Sequence, residues 1–570
     1  MTIPVIPFVV GCTRSGTSLL TVLLDRHSRV AMLPETHLLR PFVGDRPGWQ
    51  PGPTHEHLLL AAWGRAWYRL RDLQVEPLAV LERFRSHPST PEGLLHTLLE
   101  LWAERQGKPI AGEKTPQHLE VVDRILMGIP GARVVVIVRD GRAVVESLAR
   151  PAWAKASQDD HVDTWVACAR LADRWLVEFP EQVRLVRFEE LATDPQRVLA
   201  SVMAWYGLEI EPTQLEAGPS PTFRRWEDRW KLDAVGPVDS TRAEAWRAAE
   251  ELLSAEQLGR LAPWLERFGY PEPARAVRAP GGRAHRDPPP APVRVGTSRE
   301  VLPLLLIGAQ RAATGSLASW LTNDPTVAPP PDKEPSPLVT RWPLDRSSFL
   351  GFLAETTNGG SRATRYLCDL APYYLLHPDL PRRARQVAPD ARIVVILRDP
   401  VARAFSHWLN EWRVGAESLG FAEALAAEAG RLGNAEERLG ADEGAVSFAH
   451  IHYSYSLRGQ YAAQLDRWYR YYPASQILVL IYEELMTDPT AVWEKLGSHL
   501  GLDRTPAPSL AHKGLRWPVS REKLLRTPEG RDLRSRLASD LGRLNMLLGR
   551  HVPWAGESVA GAGLQGVTPG

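Results

Sequence analysis

The chain spells the same pattern twice, and a sequence built as a repeat is confined to architectures that tolerate duplication. GARVVVIVRDGRAVVES at 131–147 returns as DARIVVILRDPVARAFS at 390–406, and VRLVRFEELATDPQRVL at 183–199 returns as ILVLIYEELMTDPTAVW at 477–493. The halves also open alike, with PFVVGCTRSGTSLLTVLL from residue 7 and PLLLIGAQRAATGSLASWL from residue 303. The three blocks keep one order. A chance likeness of helix and strand patterns would not repeat an Arg-Asp dipeptide and a Glu-Glu-Leu-x-Thr-Asp-Pro run. Between the halves, AVRAPGGRAHRDPPPAPVRVG (Ala276–Gly296) is rich in Pro, Gly and Arg and has no apolar period, which predicts an extended, exposed linker. The expected organisation is a domain at 1–275, a linker at 276–300, a second domain at 301–555 and a flexible tail at 556–570. At 570 residues the chain is too long for one hydrophobic core.

Within each half an apolar run meets a turn of small residues and then an amphipathic stretch, Thr17–His27 in the first and Ser316–Leu321 in the second. Runs such as RVVVIV and RIVVIL are apolar at successive positions, as strands buried on both faces of a parallel sheet require. Helix-rich inserts at Glu56–Leu70, Pro91–Gln106 and Val162–Phe179 are expected to cover the sheet and frame a cleft. The expected fold class is α/β: two tandem P-loop-like, three-layer domains, each with a central parallel sheet flanked by helices and its ligand at the carboxyl ends of the strands.

Charge sets limits on partners. Lys and Arg number 68 and Asp and Glu 67, so no nucleic-acid-binding or other polyanion-binding surface is expected, although a local basic pocket remains open. Cys12, Cys168 and Cys368 are too few and too scattered for a disulfide framework or a zinc site, which fits a reducing, cytoplasmic setting. The opening MTIPVIPFVV lacks a basic n-region, and runs such as VLPLLLIGA are of strand length, so neither a leader nor an integral membrane segment is expected.

The turn after the first strand reads Gly11-Cys-Thr-Arg-Ser-Gly-Thr-Ser18. A small-residue turn opening a helix aims backbone N–H groups and the helix dipole at one spot, which suits an anion. Gly11 and Gly16 keep the spacing of the nucleotide loop G-x-x-x-x-G-K-[ST], but Thr17 stands where its Lys belongs. The basic residue has moved inside the loop, to Arg14. Strand RVVVIV then ends in Arg139-Asp140 with Ser147 eight residues after the Arg, and Arg398-Asp399 with Ser406 repeats that spacing. About seven residues make two helical turns, so such an Arg and Ser can face one pocket.

A loop spelled G-x-x-R-S-G-T-[ST] resembles the 5′-phosphosulfate loop of the sulfotransferase family, particularly its tyrosylprotein and bacterial branch. The resemblance implies 3′-phosphoadenosine-5′-phosphosulfate (PAPS) as donor, PAP as product, and no required metal. It assigns Ser15, Gly16, Thr17 and Ser18 to the 5′-phosphosulfate, and Arg139 with Ser147 to the 3′-phosphate. Bidentate Arg suits that group, and a hydroxyl adds a donor. Glu35, in LPETH, resembles the catalytic Glu of the tyrosylprotein branch and would take the acceptor's proton; its other possible role is a first-turn carboxylate of a helix after Pro34. Lys114, in GEKTP after a strand expected at Pro109–Gly112, resembles the family Lys that steadies the leaving oxygens together with Arg14. His37 and His118 flank these residues in structural or acceptor-contacting roles. The run Arg187-Phe188-Glu189-Glu190-Leu191 is expected to support the site by packing and hydrogen bonding.

The second loop, Gly308-Ala-Gln-Arg-Ala-Ala-Thr-Gly-Ser316, resembles the heparan-type and bacterial version with changes. Arg311 replaces the customary Lys, Ala313 the second Gly, and Gly315 a hydroxyl residue. Ala312, Ala313, Thr314, Gly315 and Ser316 would line the 5′-phosphosulfate, Arg398 and Ser406 the 3′-phosphate, and Glu334, in DKEPSPL, would be the base. Ala313 is expected to disfavour a left-handed turn. Leu370 stands where the first half has Lys114, and Lys513-Gly514 resembles the loop that closes over the 3′-phosphate. The second half is thus a second active site or a weakened nucleotide-binding scaffold. A P-loop phosphotransferase is the rival enzyme class. Asp140 and Asp399 read as helix N-caps rather than magnesium ligands. The expected acceptor bears a hydroxyl, or an amine, on a small molecule, glycan or lipid.

Overall fold

The apolar runs of both halves become strands of all-parallel sheets. A computed structural model describes residues 4–39, 42, 54–70, 73–149, 156–216, 236, 238–250, 252–272, 301–321, 324–328, 337–356, 364–502 and 521–554. Glu334, Lys513, Gly514, the linker at 276–300 and the tail at 556–570 lie outside the described residues. The described residues form two compact units, one within 1–288 and one within 289–570.

In the first unit, β1 (Ile6–Gly11), β2 (Val30–Leu33), β3 (Ile110–Lys114), β4 (Ala132–Val138) and β5 (Val183–Arg187) lie in the order β2-β3-β1-β4-β5. In the second, β6 (Leu302–Gly308), β7 (Val327–Ala328), β8 (Tyr366–Leu370), β9 (Arg392–Leu397) and β10 (Ile477–Ile481) repeat it as β7-β8-β6-β9-β10. Every residue of β1 is buried, because helices cover both faces of the sheet. On one face Leu20 and Leu23 of the helix Thr17–Asp25 pack with Ile137, Val186 and Leu199. Elsewhere in the unit Trp165 and Trp175, both buried, spend their indole N–H groups on the carbonyls of Arg139 (3.1 Å) and Leu119 (2.7 Å). β1 is flanked by β3 on one side and β4 on the other, so the strand order reverses around it, the switch point beside whose carboxyl end ligands bind in such sheets.

The repeated Glu-Glu-Leu-x-Thr-Asp-Pro run folds the same way twice. Its first Glu accepts the backbone N–H of the Asp that follows the strand-end Arg: Asp140 to Glu189 and Asp399 to Glu483, both at 3.0 Å. Leu191 and Leu485 are buried. Asp194 and Asp488 cap the next helix by accepting from Arg197 and Ala491, with Pro at the first helical turn. An N-cap of this kind is worth about 1 kcal/mol. The motif is a strand-to-helix corner, and its first carboxylate anchors the strand-end Arg-Asp from behind.

Helix boundaries follow the same local chemistry. Pro91–Gln106 starts on Thr90, whose hydroxyl accepts from Gly93, and ends on Gly107 in a left-handed cap. The inserts expected at Glu56–Leu70 and Val162–Phe179 form as His55–Leu70 and Gln158–Glu178, the latter opened by a Ser157/Asp160 capping box. Two expectations shift. The second helix after a phosphate loop begins at Thr314 rather than Ser316, and β3 runs on to Lys114, past the expected end at Gly112, because β1 offers pairing partners at Phe8 and Val9. Trp63, Trp102, Trp165, Trp175, Trp468 and Trp554 are fully buried, which makes these six tryptophans core rather than cleft walls. Among the described residues, no helix is long and apolar enough to cross a membrane.

Candidate active site

The loop leaving β1 is shaped by positive φ angles. Arg14 (φ 76°) and Gly16 (φ 94°) are left-handed, and a Cβ on Gly16 would lie 2.2 Å from the Phe188 ring, so position 16 must be glycine in this unit. This turn swings the Arg14 side chain across to the helix Gly141–Ala149, where its Nε donates to Ser147 Oγ at 3.0 Å. Arg139 donates from Nη1 to the Arg14 carbonyl at 3.2 Å and lies over the Phe188 ring at 4.6 Å. The contact recorded for Ser147 is thus with Arg14, and Arg139 reaches the same loop through its backbone.

The second unit builds the same arrangement with other residues. Arg311 (φ 70°) donates from Nε to Ser406 Oγ at 3.2 Å, and Arg398 donates from Nη1 to the Arg311 carbonyl at 2.9 Å. Tyr482, in the place of Phe188, lies 4.5 Å beneath the Arg398 guanidinium. Ala313 takes a left-handed φ of 70° where the first unit has Gly16, so the conformation that alanine disfavours is adopted nonetheless. The loop keeps its shape at the cost of a strained alanine. Ala313→Gly is therefore expected to stabilise the second unit by about 0.5–1 kcal/mol, being strain relief of roughly 1–2 kcal/mol less the added freedom of the unfolded glycine. A urea midpoint that falls instead would show that the Ala313 methyl packs usefully.

At the other side of β1, Lys114 and Glu35 meet. Lys114, 1% exposed, reaches Ser18 Oγ at 3.3 Å and pairs with the Glu35 carboxylate. His37 Nε2 lies 3.3 Å from the other Glu35 oxygen. Residues 34–38 form no helix, so Glu35 is not a helix-capping carboxylate; it extends from the end of β2 toward the loop. In the second unit Leu370 pairs with Leu306 in β6, as Lys114 pairs with Val9 in β1. Ser18 and Lys114, partners in the first unit, are replaced together by Gly315 and Leu370. Ala312 is buried, Thr314 opens the helix, and Ser316 is half-buried within it.

Electrostatically the site wants an anion. Burial holds the Arg139 guanidinium below the ordinary arginine range; Glu189 opposes this, while the charges of Arg242 and Arg14 add to it. Burial lowers Arg311 as well, with Glu411 opposing and Arg398 and Arg413 assisting. Buried Ser15 Oγ and Arg139 Nε have no hydrogen-bond partner among the described residues. A phosphate or sulfonate oxygen would satisfy such donors and relieve the clustered positive charge.

The family model described as Sulfotransferase family matches residues 7–212 and 338–506, more than half of the chain. The chain belongs to the sulfotransferase family. Within this sulfotransferase the second match starts beyond the loop at 308–316, where Ala313 and Gly315 replace Gly16 and Ser18 of the first unit. Heparan sulfate glucosamine 3-O-sulfotransferase 6 of Mus musculus is 29% identical over 290 residues, covering 48% of this chain and 75% of that protein. The Homo sapiens protein of the same name is 28% identical over 41% of this chain, which spans 60% of it. Bifunctional heparan sulfate N-deacetylase/N-sulfotransferase 3 of Homo sapiens is 27% identical over 209 residues, and the chain spans 22% of its length. A solved sulfotransferase from Alicyclobacillus acidocaldarius shares 26% identity, covering 45% of this chain and 98% of that one with a TM-score of 0.34.

The run containing Phe188 supports the site by packing, as expected; that its ring, and Tyr482 in the second half, lies under the strand-end Arg needs the fold to be seen. One contributor has no counterpart in the sequence reading. Asn410, whose Oδ1 accepts from Arg311 Nη1 at 3.3 Å, lies one helical turn past Ser406 on the same face. Its spacing from Ser406 was the available signal.

Proposed function

We propose that this sulfotransferase moves the sulfuryl group of PAPS to an acceptor hydroxyl, with the first unit as its principal active site. The reading is carried by one convergence at the carboxyl end of β1: Arg14 on Ser147 to one side, Lys114 between Ser18 and Glu35 to the other. The cations and loop N–H groups suit the phosphates and the departing charge, and a carboxylate stands beside them to take a proton. In the step itself the acceptor oxygen bonds to sulfur while its proton passes to Glu35. The bond from sulfur to the bridging 5′-phosphate oxygen breaks with its electron pair kept on that oxygen, facing Lys114 and Arg14, and PAP leaves. The second unit keeps Arg311, Arg398 and Ser406 and lacks the lysine, so it holds the donor and turns over more slowly. Relatives named as glucosamine 3-O-sulfotransferases favour a sugar hydroxyl as acceptor. A cytoplasmic setting is part of the proposal; the fold brings Cys12 and Cys168, scattered in the sequence, into side-chain contact.

Arg139→Ala and Arg398→Ala, made separately, test this. Each removes a charge-assisted phosphate contact of roughly 1.5–3 kcal/mol, which is about 10–100-fold in PAP affinity at its own unit. Arg139→Ala is expected to remove most transfer of labelled sulfate to a panel of sugar, aryl and lipid alcohols, while Arg398→Ala leaves most of it. Turnover should persist in EDTA. Full activity in Arg139→Ala would overturn the assignment, and a rate that needs both ATP and a divalent metal would identify phosphotransfer instead.

A further inference from the structure

We propose that a buried carboxylate–ring relay, Glu113 with His118, positions the segment that carries the proposed base of the first unit, and that Asp369 with Tyr374 holds Leu338 by an equivalent relay in the second. The inference rests on Glu35 being that base. Glu113, Thr36, Thr115 and His118 are all buried, with exposures of 0%, 1%, 0% and 0%. Glu113 Oε1 accepts from Thr36 N (3.3 Å) and Thr36 Oγ1 (3.1 Å) and from the Thr115 hydroxyl. Its Oε2 faces His118 Nδ1 at 3.1 Å, and His118 Nε2 accepts from Leu39 N at 3.3 Å. Because Nε2 accepts, the ring proton sits on Nδ1 and is donated to Glu113. Burial alone would raise the Glu113 carboxyl, but His118, Thr115 and Thr36 outweigh it and hold it below the usual carboxylate range.

This one carboxylate therefore ties together the neighbours of both reacting groups. Glu113 precedes Lys114, and Thr36 follows Glu35. The relay continues to the backbone four residues past Glu35. In the second unit Asp369 occupies the same register, opposite Leu305 as Glu113 is opposite Phe8. Tyr374 OH donates to Asp369 Oδ2 at 2.9 Å and accepts from Leu338 N at 3.3 Å. The ring lies five residues past the carboxylate in both units, and Leu338 lies four past Glu334 as Leu39 lies four past Glu35. A shorter acid is matched by a longer ring. What the two units share is the length of the relay and its end point, not its residues, which points to the placement of the Glu-bearing segment as the property served.

The test exchanges the two solutions. Glu113→Asp and His118→Tyr each break the length match, and Glu113→Asp/His118→Tyr restores it with the second unit's pair. Each single variant is expected to lower kcat about 10–100-fold, as an ångström-scale displacement of a reacting group does, with little change in KM for PAPS, and the double variant to recover most of the loss. Turnover is read as PAP released from labelled PAPS with water or a simple alcohol as acceptor. Glu113→Gln, nearly isosteric, is the companion variant: the Leu39 amide should exchange faster with solvent while PAP affinity stays within about twofold. Unchanged kcat in the single variants, or a double variant no better than the worse single, overturns the relay. Glu35→Ala separates the two readings. If it leaves turnover intact the base assignment itself is lost, whereas a dead Glu35→Ala beside fully active relay variants removes the relay alone.

Discussion

Glu35→Gln is expected to lower turnover at the first unit by about 10²–10⁴-fold while PAP affinity changes little. The amide keeps the volume of the side chain and its contact with Lys114, so the loop and the Arg14–Ser147 hydrogen bond should survive. What it loses is the capacity to accept the acceptor's proton. The split between rate and affinity is the informative readout, because Glu35 stands on the Lys114 side of β1, apart from the Arg139 side assigned to the 3′-phosphate. Single-turnover transfer from labelled PAPS, with PAP binding measured by calorimetry, checks both. A Glu35→Gln protein with wild-type turnover would end the base assignment.

The second large effect is on stability. Arg142→Ala is expected to cost the first unit about 3–5 kcal/mol, a large share of the stability of a typical domain. The Arg142 side chain is fully buried; its Nε and Nη2 donate to the two oxygens of Asp140 at 3.0 and 2.6 Å, its Nη1 pairs with Glu250, and its Nη2 also reaches the Pro271 carbonyl at 3.0 Å. Trp246 covers it at 4.1 Å. Removing the cation takes from buried Asp140 and Glu250 the arginine that both accept from, the costly half of a broken buried pair. Urea unfolding followed by hydrogen exchange in Gly141–Ala149 would locate the loss in the first unit. A change below about 1 kcal/mol would mean that the carboxylates are hydrated once the arginine is gone. The second unit satisfies the matching Asp399 differently, with Arg521 from a later helix donating from Nε at 2.8 Å. The same aspartate needs a cation in both units, and the chain supplies it from unrelated positions.

The legible parts of this protein were those in which chemistry is local. Apolar runs predicted parallel strands because burial on both faces leaves no alternation. The duplication was visible for the same reason. Other features were closed to sequence reading. The second loop was expected to resist a left-handed turn at Ala313, yet φ there is 70°, since the surrounding strand and helix impose the turn on whichever residue is present. The coupled loss of Ser18 and Lys114 as Gly315 and Leu370 could not be recognised while the two positions were 96 residues apart in the first half. The likeness of Glu113–His118 to Asp369–Tyr374 is hidden likewise, because neither residue type is kept.

By itself, then, the sequence determined the number of repeats, the kind of sheet, the small-residue turn after the first strand and the Arg–Ser spacing, all of which follow from interactions within a few residues or from burial averaged over a strand. Tertiary structure alone decided which arginine touches Ser147, which ring lies under Arg139, and how Lys114 comes between Ser18 and Glu35. Those contacts join residues far apart in the chain, and their geometry is set by strand register and by how far each side chain reaches across the end of a sheet.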